Sequence, residues 1–574
     1  MIRLTELKLP LDHTPAELDA LVQQTLSVTA AQMVRSQVFK RSVDARKADL
    51  AFVYTMDVEL AGAALERDVV QRLAGRPQVM PTPDMAYHAP CKAPPGDFAC
   101  ASLRPVVVGF GPCGIFAALL LAQMGFKPII LERGKAVRQR TRDTWDLWRK
   151  GVLHPESNVQ FGEGGAGTFS DGKLWSQIKD PRQLGRKVMT EFVRAGAPQD
   201  ILVEAHPHIG TFKLVKVVEN MRAQIIALGG EVRFEQRVTD LVLEDGPADA
   251  QGRSRQVQAL HILDLRAGTR YELPARQVVL APGHSARDTF AMLYGRGVAM
   301  TAKPFSIGFR IEHPQGLIDR ARWGRHAGHP MLGAAEYKLV HHASNGRSVY
   351  SFCMCPGGTV VAATSEPGRV VTNGMSQYSR NERNANAGIV VGIDPRDYPT
   401  EEAALRAGLG IEPGPRAGVH STHPLAGIVL QRQLESNAYV LGGGAYAAPG
   451  QLVGDFLADR PSTSWGAVVP SYQPGVRLGS LATALPDYAI AAIREALPVF
   501  GRKIKGFDMA DAILTGVETR TSSPLKITRA QDFQSTNVRG LYPAGEGASY
   551  AGGILSAGVD GIRVAEAVAR QVLG

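Results

Sequence analysis

The sequence of 574 residues has few cysteines, no apolar leader at its N-terminus and no run of five or more basic residues. Five cysteines, a low and odd number, argue against a disulfide framework. No Cys-x-x-Cys or Cys/His spacing of a zinc site occurs, so we predict no metal. The first residues, MIRLTELKLPLDH, lack the apolar core of a secretory signal, and no other stretch is long enough to span a membrane. We therefore expect a cytoplasmic protein.

Charge of either sign is also modest. The 64 basic and 54 acidic residues leave a net charge of +10, and the basic residues are scattered. This pattern favours a solvated surface over a face that binds nucleic acid. The apolar fraction of 44% and the charged fraction of 21% are typical of a globular protein, and the length predicts more than one domain. None of these features determines an oligomeric state.

Residues 104–134, RPVVVGFGPCGIFAALLLAQMGFKPIILERG, are the most informative part of the chain. A short apolar strand leads into the turn Gly109-x-Gly111-x-x-Gly114, an apolar helix follows, and a second apolar run ends at Glu132. This order is typical of the dinucleotide-binding βαβ unit. The alternative, a membrane span, is disfavoured by the glycines, the prolines and the charged end of the segment.

Each position of this unit has a predicted task. Gly109 permits the tight turn, and Gly111 lets the backbone approach a pyrophosphate that the helix N-terminus attracts. Gly114 lets the helix pack closely on the strand. Glu132 is placed to accept hydrogen bonds from an adenosine ribose.

Two remote segments decide between cofactors. FAD is longer than the part that one βαβ unit holds, so distant backbone must reach its ribityl chain and ring. The strand VVLAPG delivers Gly283, and LYPAGEG delivers Gly545 and Glu546 ahead of a helix that begins near Gly553 and Ile554. The N-terminal dipole of this helix favours negative charge on the flavin. These segments predict FAD rather than NAD(P).

A glycine-rich stretch, NVQFGEGGAGTFSDGKL at residues 158–174, directly follows the βαβ unit. It is interpreted either as a flexible surface loop or as a loop folded tightly against a flat cofactor. Its place in the chain favours the second interpretation and adds Gly165 to the predicted site.

From residue 104 to the C-terminus the chain resembles the two-dinucleotide-fold flavoproteins of the glutathione-reductase type. More narrowly it resembles the bacterial FAD-dependent dehydrogenases known as "FAD-dependent protein" or NAD(P)/FAD-dependent oxidoreductase. The resemblance lies in QFGEGGAGTFSDGKL, FSIGFRIEH, YSFCMCPGG, TNGMS, GVETRTSSP and LYPAGEGASYAGGI, and SVDARKAD extends it to the N-terminal region. It implies FAD, with the Val238 backbone at the adenine. One departure is Glu546, where related flavoproteins usually have Asp, which affects the ribityl contact.

The predicted cofactor-binding residues are Gly109, Gly111, Pro112, Gly114, Glu132, Arg133, Gly165, Val238, Ala281, Gly283, Gly545, Glu546, Gly553 and Ile554. The predicted fold is α/β: a Rossmann-like FAD-binding domain of the glutathione-reductase type, an inserted mixed α+β domain and a small ferredoxin-like α+β domain. The predicted segments are the N-terminal domain at 1–87, a linker at 88–103, the FAD-binding domain at 104–300 and 511–574, and the inserted substrate domain at 301–510.

Catalytic residues are not assigned, but substrate contacts are suggested. Cys353 and Cys355 would share one face of a strand and could relay electrons, although two small core residues are the favoured interpretation. Arg520 could hold a carboxylate or phosphate, or could pair with Glu518.

Three further polar positions are considered. Arg310 and Glu312 alternate onto one face of a strand-like run, which favours a structural pair. His284, next to Gly283, could reach the cofactor, although a lone histidine in a loop is more often structural.

The leading prediction is an FAD-dependent dehydrogenase or reductase that passes a hydride between a small organic substrate and flavin N5. Only one complete dinucleotide motif is present, so NAD(P)H is expected at most as a transient reductant. The alternatives are a tRNA- or RNA-modifying flavoenzyme and a flavin-binding protein without turnover.

Overall fold

The computed structural model describes residues 1–46, 49–94, 96, 104–410 and 422–573. Most of the predicted linker after residue 94, including Cys100, lies outside the described residues. The described strands form five sheets, which helices accompany in a mixed α/β arrangement.

The N-terminal region forms a four-stranded antiparallel sheet with two helices. Its elements are β1 (Ile2–Pro10), α1 (Pro15–Leu26), β2 (Met33–Asp44), β3 (Ala51–Leu60), α2 (Ala63–Arg72) and β4 (Val79–Pro81). The strand order is β2-β3-β1-β4. The Thr14 hydroxyl accepts a hydrogen bond from the Glu17 amide at the start of α1, as expected for an N-cap before Pro15. Alternate residues of β3 are buried in the core of this region.

The next region alternates strands and helices. Its elements are β5 (Val106–Val108), α3 (Pro112–Gln123), β6 (Ile129–Glu132), α4 (Val137–Lys150), α5 (Leu184–Arg194), α6 (Thr211–Ala227), β7 (Glu231–Phe234), β8 (Gln236–Asp245), β9 (Arg255–Asp264), β10 (Arg270–Pro274), β11 (Val278–Leu280), α7 (Arg287–Gly295) and β12 (Met300–Ala302).

The central region contains the longest strands. Its elements are β13 (Phe305–Pro314), α8 (Gln315–Trp323), β14 (Val340–His342), β15 (Ser348–Ala362), β16 (Thr372–Ser376), β17 (Asn384–Ile393), α9 (Glu402–Leu409), α10 (Ala426–Leu441), β18 (Ala448–Leu452), α11 (Val453–Leu457), β19 (Val476–Leu478), α12 (Asp487–Lys503) and β20 (Ile513–Glu518). The chain closes with β21 (Leu525–Ile527), β22 (Val538–Arg539), β23 (Leu541–Pro543) and α13 (Ile554–Leu573).

A five-stranded parallel sheet has the order β23-β11-β5-β6-β7. The strands β5, β6, β11 and β23 are buried along their whole length, so they are almost continuously apolar. The nearly all-apolar helix α3 is buried between this sheet and α13. Because the strands are parallel, their carboxyl ends meet at one edge of the sheet.

An eight-stranded sheet, hereafter the large sheet, has the order β14-β15-β17-β13-β20-β18-β19, with β16 paired to β15. Nine of the ten residues of β13 are buried, so both faces of this strand are covered. Polar residues of β13 therefore need partners inside the protein. Strand β20 joins the same sheet through β13 and β18.

Candidate functional site

A cavity of about 880 Å³ opens at the carboxyl edge of the parallel sheet. Thirteen of the fourteen predicted cofactor-binding residues line it: Gly109, Gly111, Pro112, Glu132, Arg133, Gly165, Val238, Ala281, Gly283, Gly545, Glu546, Gly553 and Ile554. Gly114 is the exception. We call the part lined by Gly109, Gly111, Glu132, Gly165 and Val238 the turn end. The part lined by Lys173, Phe352, Cys353, Glu518 and Arg520 is called the sheet end.

The glycine turn has the close packing that the sequence predicts. Gly109 has a φ of +95°, and a Cβ there would lie 2.2 Å from the carbonyl oxygen of Ala281. A Cβ on Gly114 would lie 1.9 Å from the carbonyl oxygen of Gly109. Gly114 therefore permits α3 to pack on the turn and faces away from the cavity.

The glycine-rich stretch 158–174 folds against this turn, as predicted. The Gly164 amide donates to the carbonyl of Phe110 at 2.8 Å. The fully buried Arg140 of α4 holds the stretch by donating to the carbonyls of Asn158, Val159 and Glu163, each at 2.7 Å. Sequence reasoning missed Arg140, because nothing in the charged α4 segment sets it apart from its exposed neighbours.

Glu132 ties the turn end together. Its carboxylate accepts from the backbone amides of Phe110 at 2.8 Å, Gly134 at 2.8 Å and Gly162 at 3.0 Å. A carboxylate has about four lone-pair sites, so one remains for a group in the cavity. The predicted ribose contact of Glu132 is compatible with this arrangement and stays a prediction.

Two helix N-termini lie at the cavity, where the first amides of a helix have no partner within the helix. Gly111 and Pro112 begin α3, and Gly553 and Ile554 begin α13. Both ends offer amide donors and a positive dipole to an anion. An elongated cavity with glycine backbone at one end and two helix N-termini fits a dinucleotide with a negatively charged middle.

Cys353 is at the sheet end, whereas Cys355 is not. The pairing of β15 with β17 shifts register between Phe352 and Cys355, and Cys353 has a φ of +43°. Strand alternation fails at this bulge, so the prediction that both thiols face one surface is wrong. Cys353 lines the cavity, and Cys355 is buried with its sulfur 3.4 Å from the Cys353 carbonyl oxygen.

The predicted Arg310–Glu312 pair is wrong. Arg310 donates from Nε to Glu518 on the neighbouring strand β20 at 2.6 Å. Glu312 accepts from Ser471 and Asn384, and burial raises the pKa of its carboxyl. Because β13 is covered on both faces, residues two apart meet different neighbouring elements rather than each other.

Arg520 does not pair with Glu518 either. Its Nε and Nη2 donate to the two oxygens of the fully buried Glu435 at 3.1 and 3.0 Å. Its Nη1 donates to Ser285 and Ser365. Arg520 lines the sheet end, but Glu435 occupies the fork with which it would grip an anion. The partner Glu435 lies on α10, and no sequence signal links the two residues.

Two titratable groups of the cavity wall have shifted pKa values. Burial, together with the charges of Arg520 and Arg287, lowers the pKa of His284 to about 3, so this side chain is neutral. Burial raises the pKa of Glu546 to about 7, although the nearby Lys303 opposes the shift. Glu546 thus changes charge near neutral pH inside the cavity.

The sheet end also holds polar groups that sequence reasoning missed. The hydroxyl of Tyr337 and the indole nitrogen of Trp175 are buried and have no hydrogen-bond partner among the described residues. Each of these groups can donate a hydrogen bond to a ligand that lies at the sheet end. Their neighbours in sequence carry no motif that could have indicated them.

One group of metal-type ligands lies outside the cavity lining. Ligand atoms of Asp143, Asp146 and His154 lie within 4.8 Å of one another. Lys135 and Lys150 form ion pairs with the two carboxylates at 3.0 and 2.8 Å. These ammonium groups already neutralise the carboxylates, so the absence of a metal stays our prediction.

Comparison with known proteins bears on the cofactor. The family model "FAD-dependent protein, C-terminal domain-like" matches residues 304–521, and a domain of unknown function matches residues 1–59. An uncharacterized protein of Clostridium beijerinckii is 43% identical over 572 residues, which cover 98% of each chain. The chain belongs to the FAD-dependent protein family. The predicted family is thus confirmed, while the glutathione-reductase subclass stays a prediction.

Solved structures resemble this chain only distantly. A quinol fumarate reductase of E. coli is 13% identical, with 82% of this chain and 69% of that chain covered and a TM-score of 0.32. A geranylgeranyl bacteriochlorophyll reductase-like protein of Thermoplasma acidophilum is 13% identical, with 82% and 78% covered and a TM-score of 0.33. These likenesses carry no argument about the site.

The match at residues 304–521 spans the large sheet from β13 to β20 and ends just after Arg520. The residues that the family model matches therefore include part of the sheet end of the cavity, among them Cys353 and Glu518. Among the helices of the described residues, none has both the length and the apolar character that crossing a membrane requires.

Proposed function

We propose that the protein is an FAD-dependent oxidoreductase that transfers a hydride between flavin N5 and a small organic substrate. The proposal rests on one observation: a continuous cavity joins the dinucleotide cradle to a wall formed by the large sheet. FAD, when bound, supplies the acceptor or donor of the hydride. A substrate would occupy the sheet end.

Different residues along the cavity would bind different parts of FAD. At the turn end, the N-terminus of α3 would hold the pyrophosphate, Glu132 the ribose and the Val238 backbone the adenine. Gly545 and Glu546 would approach the ribityl chain, and the N-terminus of α13 would face the flavin. At the sheet end, the buried Arg310–Glu518 and Arg520–Glu435 pairs would form the wall behind a bound substrate.

The finer architecture belongs to the same proposal. We assign the parallel sheet to a Rossmann-like FAD-binding domain of the glutathione-reductase type, and the N-terminal region to a ferredoxin-like domain. The antiparallel order β2-β3-β1-β4 supports the second assignment. We extend the inserted domain beyond residue 510 to include β20, because this strand pairs with β13. A cytoplasmic location and NAD(P)H as a transient reductant remain part of the proposal.

Flavin content tests the cofactor assignment. The Gly111→Ala variant should fold, because its Cβ would meet nothing nearer than the Gly165 Cα at 3.5 Å. The same methyl group would fill space that the pyrophosphate needs, so FAD affinity should fall at least about tenfold, or about 1.4 kcal/mol. The matched control is Gly392→Ala on β17, outside the cavity lining, where a Cβ would meet nothing nearer than 3.9 Å.

Two results would contradict the proposal. Unchanged FAD affinity in Gly111→Ala would show that the pyrophosphate does not bind at the glycine turn. If the purified wild-type protein neither contains nor takes up FAD, the assignment of FAD as the cofactor is wrong. Activity is tested separately, by anaerobic photoreduction of the flavin followed by a screen of organic oxidants, since an enzyme is reoxidised rapidly by a specific acceptor.

A further inference from the structure

The bulge in β15 turns Cys353 toward the cavity. A non-glycine residue with positive φ is uncommon, and such strain is concentrated at functional sites. Here it breaks the alternation of the strand, so that Phe352, Cys353 and Met354 all line the sheet end. In a regular strand, Phe352 and Met354 would share one face and Cys353 would point to the other.

Two cations fix the backbone of this bulge. Arg310 donates from Nη1 to the Cys353 carbonyl at 2.9 Å, and Lys173 donates from Nζ to the Met354 carbonyl. Arg310 is itself held by Glu518, Asn386 and Asn373, so its position is fixed by the large sheet. Positive charge is therefore anchored at two consecutive carbonyls of the bulge, those of Cys353 and Met354.

The groups that face Cys353 come from several elements. The Cys355 thiol donates a hydrogen bond to the Cys353 carbonyl at 3.4 Å. The nearby Cys355 side chain and the charges of Arg310 and Lys173 lower the pKa of Cys353, although burial opposes them. Asp171, Glu518 and Glu546 act in the opposite sense. Two of these carboxylates are already paired, Asp171 with Arg380 and Glu518 with Arg310. The pKa of Cys355 is raised by its neighbour.

We infer that Cys353 is a nucleophile of the substrate site, which attacks soft electrophilic carbon or sulfur atoms bound at the sheet end, with Cys355 as the residue that positions and stabilises its thiolate. In the attack, the sulfur lone pair forms the new bond and the leaving group departs with the bonding pair. No oxidant or reductant is needed. The inference rests on the proposed function only in treating the sheet end as the substrate site.

Cys113 is an internal control for this inference. It lines the same cavity in the first turn of α3, but burial and the charge of Asp560 raise the pKa of its thiol, although Arg529 opposes the shift. Cys91, which is partly buried, also has a raised pKa. Cys113 is buried and Cys353 is partly exposed, so a difference in access would change only the rate. A stabilised thiolate at Cys353 would also lower the pH midpoint of its reaction.

The test is the pH dependence of carbamidomethylation by iodoacetamide, which forms an S–C bond and releases iodide, followed by peptide mass mapping. At about pH 6, Cys353 should react at least about tenfold faster than Cys113, because the thiolate is the reacting species. Lys173→Met and Cys355→Ala should each shift the midpoint of the Cys353 profile upward by about one unit. Lys338→Met, an exposed cation of the cavity wall, should leave the midpoint unchanged.

Equal reactivity of Cys353 and Cys113 would overturn the inference, as would an unshifted midpoint in Lys173→Met. The profile is measured on protein with and without FAD, and flavin content is measured independently. A reactive Cys353 in protein that never binds FAD would refute the proposed function and leave the nucleophile in place. An FAD-replete protein with an inert Cys353 would do the reverse.

Discussion

The two ends of the cavity are held together in different ways. At the turn end, one carboxylate and one guanidinium side chain, those of Glu132 and Arg140, bind backbone amides and carbonyls of neighbouring segments. At the sheet end, side chains pair with side chains. Arg310 meets Glu518, and Arg520 meets Glu435, in both cases away from solvent.

This difference matters because the two kinds of contact respond differently to change. A backbone cradle depends on local shape, so it is sensitive to added volume at glycine. A buried ion pair depends on the balance between desolvation and attraction, so it is sensitive to the loss of one partner. Substitutions that remove one charge should therefore affect the sheet end more than the turn end.

The largest effect is expected for Glu435→Gln. Burial alone would raise the pKa of Glu435, but the charges of Arg287 and Arg520 outweigh it and lower the pKa to about 2. The carboxylate lies 2.6 Å from Arg287 and 3.0 Å from Arg520. Its neutralisation leaves two buried guanidinium groups with only one carboxylate, Glu366, which lies 2.6 Å from Arg287. The free energy of unfolding should therefore fall by about 3–5 kcal/mol in urea denaturation.

Glu244→Gln is the matched control for charge removal. Its exposed carboxylate lies 3.8 Å from the exposed Arg276, and such surface pairs contribute little. A stability loss at Glu435 no greater than at Glu244 would show that the sheet end does not depend on its buried charges.

The same contrast explains what could be predicted from the sequence. The turn end is built largely from residues 109–165, whose glycines and acid have tasks that spacing alone specifies, so the residues of the cradle were predicted correctly as neighbours. The sheet end brings together Lys173, Cys353 and Glu518, which no local pattern connects. Strand alternation also failed at the bulge at Cys353. In β13, Arg310 and Glu312 each bind a partner on another segment rather than each other.

The second effect concerns Glu546, which lies between the two ends. Its pKa in the folded protein is raised to about 7 from an ordinary value of 4.5. The folded state therefore binds more protons than the unfolded state between these two pH values, and stability falls as pH rises through this window. The loss is at most about 3 kcal/mol and is complete above the folded pKa.

Glu546→Gln should abolish this component of the pH dependence. Urea unfolding of both proteins between about pH 4.5 and 7 should show the variant gaining stability relative to the wild type as pH rises. Curves that remain parallel across the window would mean that the Glu546 carboxyl is not buried in the folded protein. The result would also show whether the low-dielectric surroundings of the sheet end reach Glu546, which follows β23.

The smallest of the three effects is expected at the turn end, for Glu132→Gln. The amide keeps one acceptor oxygen, but its nitrogen cannot accept from the amides of Phe110, Gly134 or Gly162. Losing part of this charge-assisted set should reduce the free energy of unfolding by about 2 kcal/mol, and FAD affinity should fall with it. Glu231→Gln, which lies at the far end of the neighbouring strand β7 and is partly exposed, should change neither quantity measurably. If Glu132→Gln matches the wild type in both measurements, the glycine turn and the loop at 158–174 hold their shape without this carboxylate, and the turn end would owe its geometry to glycine packing and Arg140 alone.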